Sequence, residues 1–342
     1  MTRICIIPDV SGTGGMVSFR HKLVASLKKQ GLDTCFSLED EPYQSLLVIG
    51  GSRQLAGINS IKKKGIRVVQ RLDGINWIHR KKFMGLRHTL RAEYGNLLQS
   101  TIRRNLADHI IYQSEFAKTW WQDWYKETEA PSSIIHNGVN LETYSPSGPH
   151  ERPTDKYRLL VVEGSFGGGY EDGLRNAISL AEDLHNRHHL PMELAVVGSV
   201  NESTKSSWNS RSPVPITWIG KVPRDSIPEL DRSAHMLFAA DLHPACPNSV
   251  IEAMACGLPV AAFDTGAIRE LVPDDAGCVV PYGSDPWKLQ TPDIKSLADK
   301  AAPVLLDNEP YRKGARIHAE RSFDLDDMVK KYIKVLLETN DG

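Results

Sequence analysis

The stretch of sequence that decides the fold is PNSVIEAMACGLPVAAFDTGAIRELV, residues 247–272. Within it, Ser249 is followed three residues later by Glu252, which is the spacing of a capping box and predicts the start of a helix. Gly257 predicts that this helix ends after about two turns, because glycine favours the left-handed conformation of a helix C-terminus. The apolar residues 259–263 then predict a buried strand. This succession of elements is typical of an α/β domain.

A short helix of this kind directs backbone N–H groups that lack a helical acceptor toward the loop before it, and such a helix start is a natural phosphate site. Two interpretations of Glu252 stay open from spacing alone. In one, its carboxylate serves a ligand, and in the other it caps its own helix in an ordinary strand–helix unit.

The same stretch resembles the donor-binding signature of retaining glycosyltransferases of the GT-B fold, specifically family 4, in which EAMACG-P-V precedes T-x-G-x-x-E-L-V. Three earlier segments are similar to further motifs of that family: ADHIIYQSEF at 107–116, IIHNGVN at 134–140 and ITWIGKV at 216–222. The resemblance implies an α/β protein of GT-B architecture, with two doubly wound, Rossmann-like domains facing a central cleft.

The resemblance also implies an activity. A retaining enzyme of this family moves a sugar from a nucleotide-diphosphate sugar, most often UDP- or GDP-linked, to a hydroxyl group of an acceptor. The acceptor is a glycan, a lipid-linked molecule or a small molecule, and neither a metal nor another cofactor is expected. Two alternatives stay open: a non-catalytic or partner-stimulated subunit that binds nucleotide sugars, and a nucleotide-sugar epimerase on the same fold.

The expected donor site draws on both halves of the chain. By resemblance, the N–H groups of Asn248, Ser249 and Val250 face the diphosphate, and Glu252 reaches the ribose. The glycine turn after the first predicted strand, which contains Gly14 and Gly15, is expected to contact the transferred sugar or the diphosphate. The other residues expected at the donor are Ser165, Gly220, Val222, Gly266 and Glu270.

The first departure from the family pattern concerns the diphosphate. Ser165 stands where the family usually has an arginine, and residues 170–172 stand where it has Lys-Gly. The charge that normally stabilises the departing diphosphate is therefore expected from elsewhere. The amides of Gly167 to Gly169 are one candidate. Lys221 or Arg224, on the loop after the strand at 216–219, is the other.

The second departure concerns the sugar. Pro244 occupies the place of the first glutamate of the family's E-x7-E pattern, so His243 or Asp241 is expected to contact the sugar instead. Asp73 follows a strand of the first half and is expected to face the sugar or the acceptor, with a plain turn as the alternative. The candidate catalytic residues are Asp73, Lys221 and His243.

Composition and the pattern of strands predict two domains. The segment SPSGPHERP, residues 145–153, is typical of a linker. We expect an acceptor-side domain at 1–147 and a donor-binding domain at 148–322. By resemblance, the C-terminal helix within 323–342 packs back on the first domain.

Bulk properties predict an ordinary globular chain in the cytoplasm. The 342 residues are 41% hydrophobic and 24% charged, and no apolar run approaches the ~20 residues of a membrane span. The opening MTRICIIPDV predicts a strand rather than a signal peptide. The five cysteines have no metal-ligand spacing, which favours reduced thiols and predicts no metal site.

The charge is unevenly distributed. Residues 1–150 hold 20 Lys and Arg against 13 Asp and Glu, whereas the remainder holds 21 against 29, so the first half suits an anionic partner. Nucleic acid is not expected, because the basic residues lack interleaved aromatic residues and a binding motif. Residues 79–104 combine basic residues with a helical stripe of leucines. That segment predicts either a solvated helix on the sheet or a peripheral contact with the inner face of an anionic membrane.

Overall fold

The computed structural model describes residues 2–10, 12, 14–167 and 169–338. It divides the chain into two compact units. The first comprises Met1–Gly138 and Leu325–Gly342, and the second comprises Val139–Asp324. The chain passes between the units before the predicted linker at 145–153, because that segment already belongs to the second unit.

The first unit is built on a parallel sheet, which in the described residues has six strands in the order β2-β1-β3-β4-β5-β6. The strands are β1 (Arg3–Ile7), β2 (Asp33–Cys35), β3 (Ser45–Ile49), β4 (Arg67–Leu72), β5 (His109–Tyr112) and β6 (Ser132–Ile134). The helices are α1 (Gly15–Lys29), α2 (Leu55–Lys63), α3 (Leu86–Asn105), α4 (Glu115–Tyr125) and, from the end of the chain, α12 (Leu325–Leu337).

Both faces of this sheet are buried, as expected for a parallel sheet. Because successive side chains of a strand point to opposite faces, Ile4 and Ile6 belong to one apolar cluster, and Cys5 belongs to another. The first cluster includes residues of α1 and α12; the rings of Phe19 and Tyr332 lie 5.2 Å apart there. The last helix is thus part of the core of the first unit, while residues 339–342 of the predicted C-terminal segment lie outside the described residues.

The second unit contains another parallel sheet, with six strands in its described part in the order β12-β11-β10-β7-β8-β9. The strands are β7 (Tyr157–Ser165), β8 (Met192–Ser199), β9 (Ile216–Gly220), β10 (Met236–Phe238), β11 (Val260–Phe263) and β12 (Gly277–Val280). The helices are α5 (Glu171–Asn186), α6 (Glu202–Asn209), α7 (Ile227–Arg232), α8 (Asn248–Ala255), α9 (Ile268–Leu271), α10 (Ile294–Leu306) and α11 (Asn308–Ser322). This strand order is that of dinucleotide-binding folds.

Each sheet has a point at which the strand order reverses. It lies between β1 and β3 in the first unit and between β7 and β10 in the second. The loops after such a pair leave in opposite directions and open a crevice at the carboxyl edge of the sheet, where doubly wound proteins bind ligands. The predicted α/β class with two doubly wound units is therefore confirmed.

Two local details differ from the expectations. The edge strand β2 has three residues and carried too little apolar pattern to be predicted. The prediction of a capping box at Ser249 is wrong. Pro247, in an extended conformation, is the N-cap residue of α8, so Ser249 lies inside the first turn. None of the helices in the described part of the chain combines the length and apolar character that a bilayer crossing requires.

Candidate functional site

The first turn of α8 is open toward the loop after β10. Pro247 precedes it with φ −70° and ψ 122°, and among the described residues no side chain caps the turn. Helical hydrogen bonding begins with the N–H of Ile251, which donates to the Pro247 carbonyl at 3.4 Å. The N–H groups of Asn248, Ser249 and Val250 come before that bond and have no acceptor within the helix. They form a site suited to an oxyanion.

Glu252 is half-buried in the next turn of α8. The charge of Glu252 affects the pKa of two buried groups, Tyr144 and Asp231. Burial raises the pKa of Tyr144, and Glu252 raises it further, whereas Arg224 acts in the opposite direction. Burial also raises the pKa of Asp231 well above its ordinary value, with Glu252 the next largest cause. Glu252 thus lies near both Tyr144 and Asp231.

In the described part of the loop after β7, two of the suggested glycine amides donate hydrogen bonds within the loop. The N–H of Gly167 donates to Ser165 Oγ at 3.3 Å, and the N–H of Gly169 donates to Glu171 Oε2 at 3.1 Å. Gly168 lies outside the described residues. Both described glycine amides are therefore engaged within the loop, so their candidacy as diphosphate ligands loses its basis.

The loop after β9 supplies the exposed cations. Gly220 ends the strand at φ +79°, a conformation that favours glycine, and the chain then turns through Lys221 and Val222 to Arg224. Lys221 and Arg224 are both exposed. Of the two, Arg224 lowers the pKa of Tyr144, the same group whose pKa Glu252 raises.

The loop after β10 holds His243 rigidly. This residue adopts φ +60°, and its ring stacks on that of Trp287 with centroids 3.6 Å apart and planes 12° apart. Burial lowers the pKa of His243 to about 4, partly offset by Asp285, so the imidazole is neutral at pH 7. Pro244 packs on Gly266, where an added Cβ would lie 2.5 Å from the Pro244 nitrogen. That contact explains why the turn after β11 needs glycine.

A carboxylate that sequence reasoning missed faces this loop. Glu163 lies near the end of β7, and its pKa is raised by burial and by Asp241, which follows β10. The pKa of Asp241 is raised by burial as well. Asp241 also lines a small crevice together with Thr265 and Tyr282. The signal in the sequence is the single acid within the apolar run LLVVEGS.

Three predicted residues lie in the first unit. Gly14 and Gly15, both exposed, form the start of α1. Asp73 follows β4, and its backbone carbonyl accepts a hydrogen bond from Trp121 Nε1 at 2.7 Å. Burial raises the pKa of the Asp73 carboxyl, and Arg71 partly offsets the effect.

The reversal point of the first sheet has a crevice of its own, between the loops after β1 and β3. It is lined by Ile7, Pro8, Asp9, Phe36, residues 51–54, Arg91 and Leu98. None of the three predicted first-unit residues is among its lining residues.

The remaining predicted residues lie at or after the carboxyl ends of strands in the second sheet, including Glu270, an exposed residue of the short helix α9. They are Ser165, Gly220, Lys221, Val222, His243, Asn248, Ser249, Val250, Glu252, Gly266 and Glu270. The structure therefore brings these residues to one edge of one sheet, while their individual roles remain predictions. Within the described residues, no cluster of three or more His, Cys, Asp or Glu side chains could hold a metal ion.

Together, the two sheets and this edge define a class, the GT-B proteins. Sucrose-phosphate synthase from Thermosynechococcus elongatus is similar over 98% of both chains, with a TM-score of 0.73 and 15% identity. Anabaena HepE, in complex with UDP-glucose, has a TM-score of 0.69 and 14% identity over 98% of this chain and 99% of its own. WaaG, a glycosyltransferase involved in lipopolysaccharide biosynthesis, has a TM-score of 0.68 and 17% identity. The match covers 99% of this chain and 100% of WaaG. At such identities the likeness shows the fold alone, and the predicted GT-B fold is confirmed.

Residues 158–306 match the family model described as glycosyl transferases group 1. A curated relative, 2-deoxystreptamine N-acetyl-D-glucosaminyltransferase from Streptomyces fradiae, is 31% identical over 95 residues, which are 28% of this chain and 20% of the relative. The chain thus matches about a fifth of the length of that relative. The family match lies within the second unit, and the resemblance to glycosyltransferases expected from the sequence is confirmed. The finer assignment to family 4 stays a prediction.

Proposed function

We propose that the protein is a retaining glycosyltransferase that moves a sugar from a UDP- or GDP-linked nucleotide sugar to a hydroxyl group of an acceptor. The observation that carries the proposal is the open first turn of α8, with Glu252 one turn further on, in a glycosyl transferases group 1 domain. The solved complex of HepE with UDP-glucose, a protein of the same fold, supports a nucleotide sugar as the donor.

Each residue of the site has a proposed role in binding the donor. The N–H groups of residues 248–250 bind the diphosphate, because they are backbone donors at the positive end of a helix. Glu252 accepts hydrogen bonds from the ribose hydroxyls. Asp241 and the neutral ring of His243 contact the transferred sugar, in place of the glutamate that Pro244 replaces.

The proposed reaction needs no nucleophile from the protein. The bond between the anomeric carbon and the diphosphate oxygen breaks, and the acceptor oxygen bonds to the same face of that carbon. The acceptor proton passes to the leaving diphosphate. The protein contributes positioning and charge stabilisation, for which Lys221 and Arg224 are the candidate cations and Asp73 a candidate contact to sugar or acceptor. We propose that no metal or other cofactor takes part.

Replacing Glu252 tests the donor site. Glu252→Ala is expected to weaken binding of UDP or GDP by about 1–3 kcal/mol, the scale for losing hydrogen bonds to a charged group. Isothermal titration calorimetry with both nucleotides gives the affinity and the preferred base. The matched control is Glu229→Ala, which removes an exposed glutamate of α7 and is expected to leave affinity unchanged. Wild-type affinity in Glu252→Ala, with reduced stability, would assign Glu252 a structural role instead.

A non-catalytic binding subunit is the second candidate. The observation that favours it is the loop after β7, which has no Lys or Arg from residue 163 to 174 and uses its described glycine amides internally. A pure binding protein gains thermal stability from nucleotide sugars without releasing nucleoside diphosphate. Nucleotide sugars with candidate acceptors, assayed for diphosphate release, distinguish the two roles. The Glu163–Asp241 carboxyl pair favours the third alternative, an epimerase. Analysis of the sugar on the recovered nucleotide sugar distinguishes it, because an epimerase changes that sugar without a net release of diphosphate.

A further inference from the structure

The helix α3 exposes an unusual amount of apolar side chain. Leu86, Leu90, Tyr94 and Leu97 are 73%, 71%, 47% and 59% exposed, and Phe83, just before the helix, is 81% exposed. The spacing of the four helical residues places them on one face. We refer to these five residues as the α3 strip.

The opposite face of α3 is held by polar contacts. Asn96 and Arg103 are both 0% exposed. The Asn96 amide donates to the Asn76 carbonyl at 2.8 Å, and Arg103 Nε donates to the hydroxyl of Tyr112 at 2.7 Å. A surface helix normally buries its apolar face and exposes its polar one. In α3 the buried side combines Asn96 and Arg103 with the apolar Ala92 and Ile102, so the exposed α3 strip is additional to the residues that pack the helix on its own sheet.

The surroundings of the α3 strip are positively charged. Residues 74–107 contain seven Lys and Arg and a single acid, Glu93. That acid is engaged by Arg80, whose Nη2 lies 2.7 Å from Glu93 Oε2. The exposed side chains of Lys81, Arg87 and Arg91 form no ion pair with any residue that the structure describes. An apolar strip bordered by such cations matches a surface that is negatively charged outside and apolar beneath.

We infer that the α3 strip binds the surface of an anionic lipid bilayer. The helix lies in the plane of the headgroups, with its leucines and aromatic rings inserted and its cations beside the lipid phosphates. A second copy of the chain is a poorer occupant. In a two-fold symmetric contact the same patch serves both copies, so the strip would carry its bordering Lys81, Arg87 and Arg91 toward their own equivalents.

Sedimentation with lipid vesicles tests this inference on the full-length protein. Vesicles of phosphatidylcholine with one third phosphatidylglycerol are compared with vesicles of phosphatidylcholine alone, at low and high salt. We expect binding to the anionic vesicles to be about tenfold or more tighter and to fall with salt. Leu90→Glu with Leu97→Glu is expected to reduce this binding by about tenfold or more, since two exposed apolar contacts become acidic.

A matched pair of substitutions controls for exposed apolar surface in general. Leu306 and Ile317 of the second unit are 64% and 62% exposed, and Leu306→Glu with Ile317→Glu is expected to keep wild-type vesicle binding. The inference would be overturned if both double variants lost vesicle binding equally. It would also be overturned if the wild type bound the two vesicle types equally or bound neither. A wild-type dimer that Leu90→Glu with Leu97→Glu converts to monomer in light scattering would overturn it as well, because a second copy would then cover the strip.

Discussion

Asp231 shows how much the surroundings of a residue matter at this site. It is 1% exposed in α7, and both burial and the Glu252 charge raise its pKa, against a smaller effect of Arg232. Because the pKa is higher in the folded than in the unfolded protein, the folded state binds the proton more tightly. The favourable contribution of Asp231 is therefore present below the unfolded pKa and is lost as the pH rises toward the folded pKa.

Asp231→Asn consequently stabilises the protein in a pH-dependent way. The amide cannot ionise, so the variant is expected to gain roughly 1–3 kcal/mol over the wild type at about pH 8, and less at about pH 5. Urea unfolding at both pH values measures the difference. Asp225→Asn, an exposed aspartate before α7, is the control and is expected to show no such dependence. A gain in the free energy of unfolding of the same size at both pH values would contradict a raised pKa of Asp231.

The residue scale also shows what sequence can predict about the site. Asn248, Glu252 and Gly266 could be placed at a helix start and a turn because those features are local in the chain. Glu163 and Asp241 could not be paired, since they are far apart in sequence and meet only because β7 and β10 are neighbours in the sheet. The capping-box prediction failed because a proline N-cap two positions earlier begins the helix without a side-chain cap.

At the scale of elements, the loop after β9 is the test of catalysis. If it supplies the charge that the loop after β7 lacks, Lys221→Ala and Arg224→Ala are expected to lower turnover by about 10²–10³, the usual effect of removing a stabilising group at a developing anion. Donor affinity is expected to change far less, because the charge develops in the transition state. Arg224→Ala is expected to lower turnover more than Lys221→Ala, since Arg224 influences the pKa of Tyr144, which Glu252 also influences.

The controls for this prediction are straightforward. Lys295→Ala removes an exposed cation of α10, and its turnover is expected to equal that of the wild type. Steady-state rates and nucleotide titrations on all three variants separate an effect on turnover from one on binding. Wild-type turnover in both loop variants would make this loop ordinary surface and would strengthen the case for a binding subunit.

Helix α3 marks a limit of periodicity as a predictor. The spacing of its leucines correctly indicated a helix and a shared face. It could not say whether that face meets the sheet or the solvent, and Ile102, a further apolar residue of the same segment, is 0% exposed. Which side of α3 faces the sheet depends on Asn96 and Arg103, whose hydrogen-bond partners lie outside the helix.

At the scale of the whole molecule, the first unit is completed by the last helix. Val139 N–H donates to the Phe323 carbonyl at 2.8 Å, so the two stretches of chain that lead into and out of the second unit run side by side. The linker prediction marked a proline-rich segment, but such composition signals only irregular backbone. The division falls instead where the contacts of the chain change from one sheet to the other.

Tyr332→Ala tests whether α12 supports only one of the two sheets. Tyr332 is 1% exposed and contacts the ring of Phe19, so its truncation is expected to destabilise the first unit by about 3–5 kcal/mol. Hydrogen–deuterium exchange is expected to show faster exchange in β1 and β3 and unchanged exchange in β7 and β8. Lys334→Ala, an exposed change on the same helix, is the control. Equal loss of protection in the second sheet would show that the two cores unfold together.

The position of α12 has a consequence for how the protein is made. A ribosome releases β1 to β6 early, but the helix that covers Ile4, Ile6 and Leu47 emerges only after all of the second unit has been synthesised. Until then, one apolar layer of the nascent sheet is covered by α1 but lacks the part of its cover that α12 provides. We therefore expect the growing chain to depend on a chaperone, or on slow collapse, between translation of residue 138 and translation of α12.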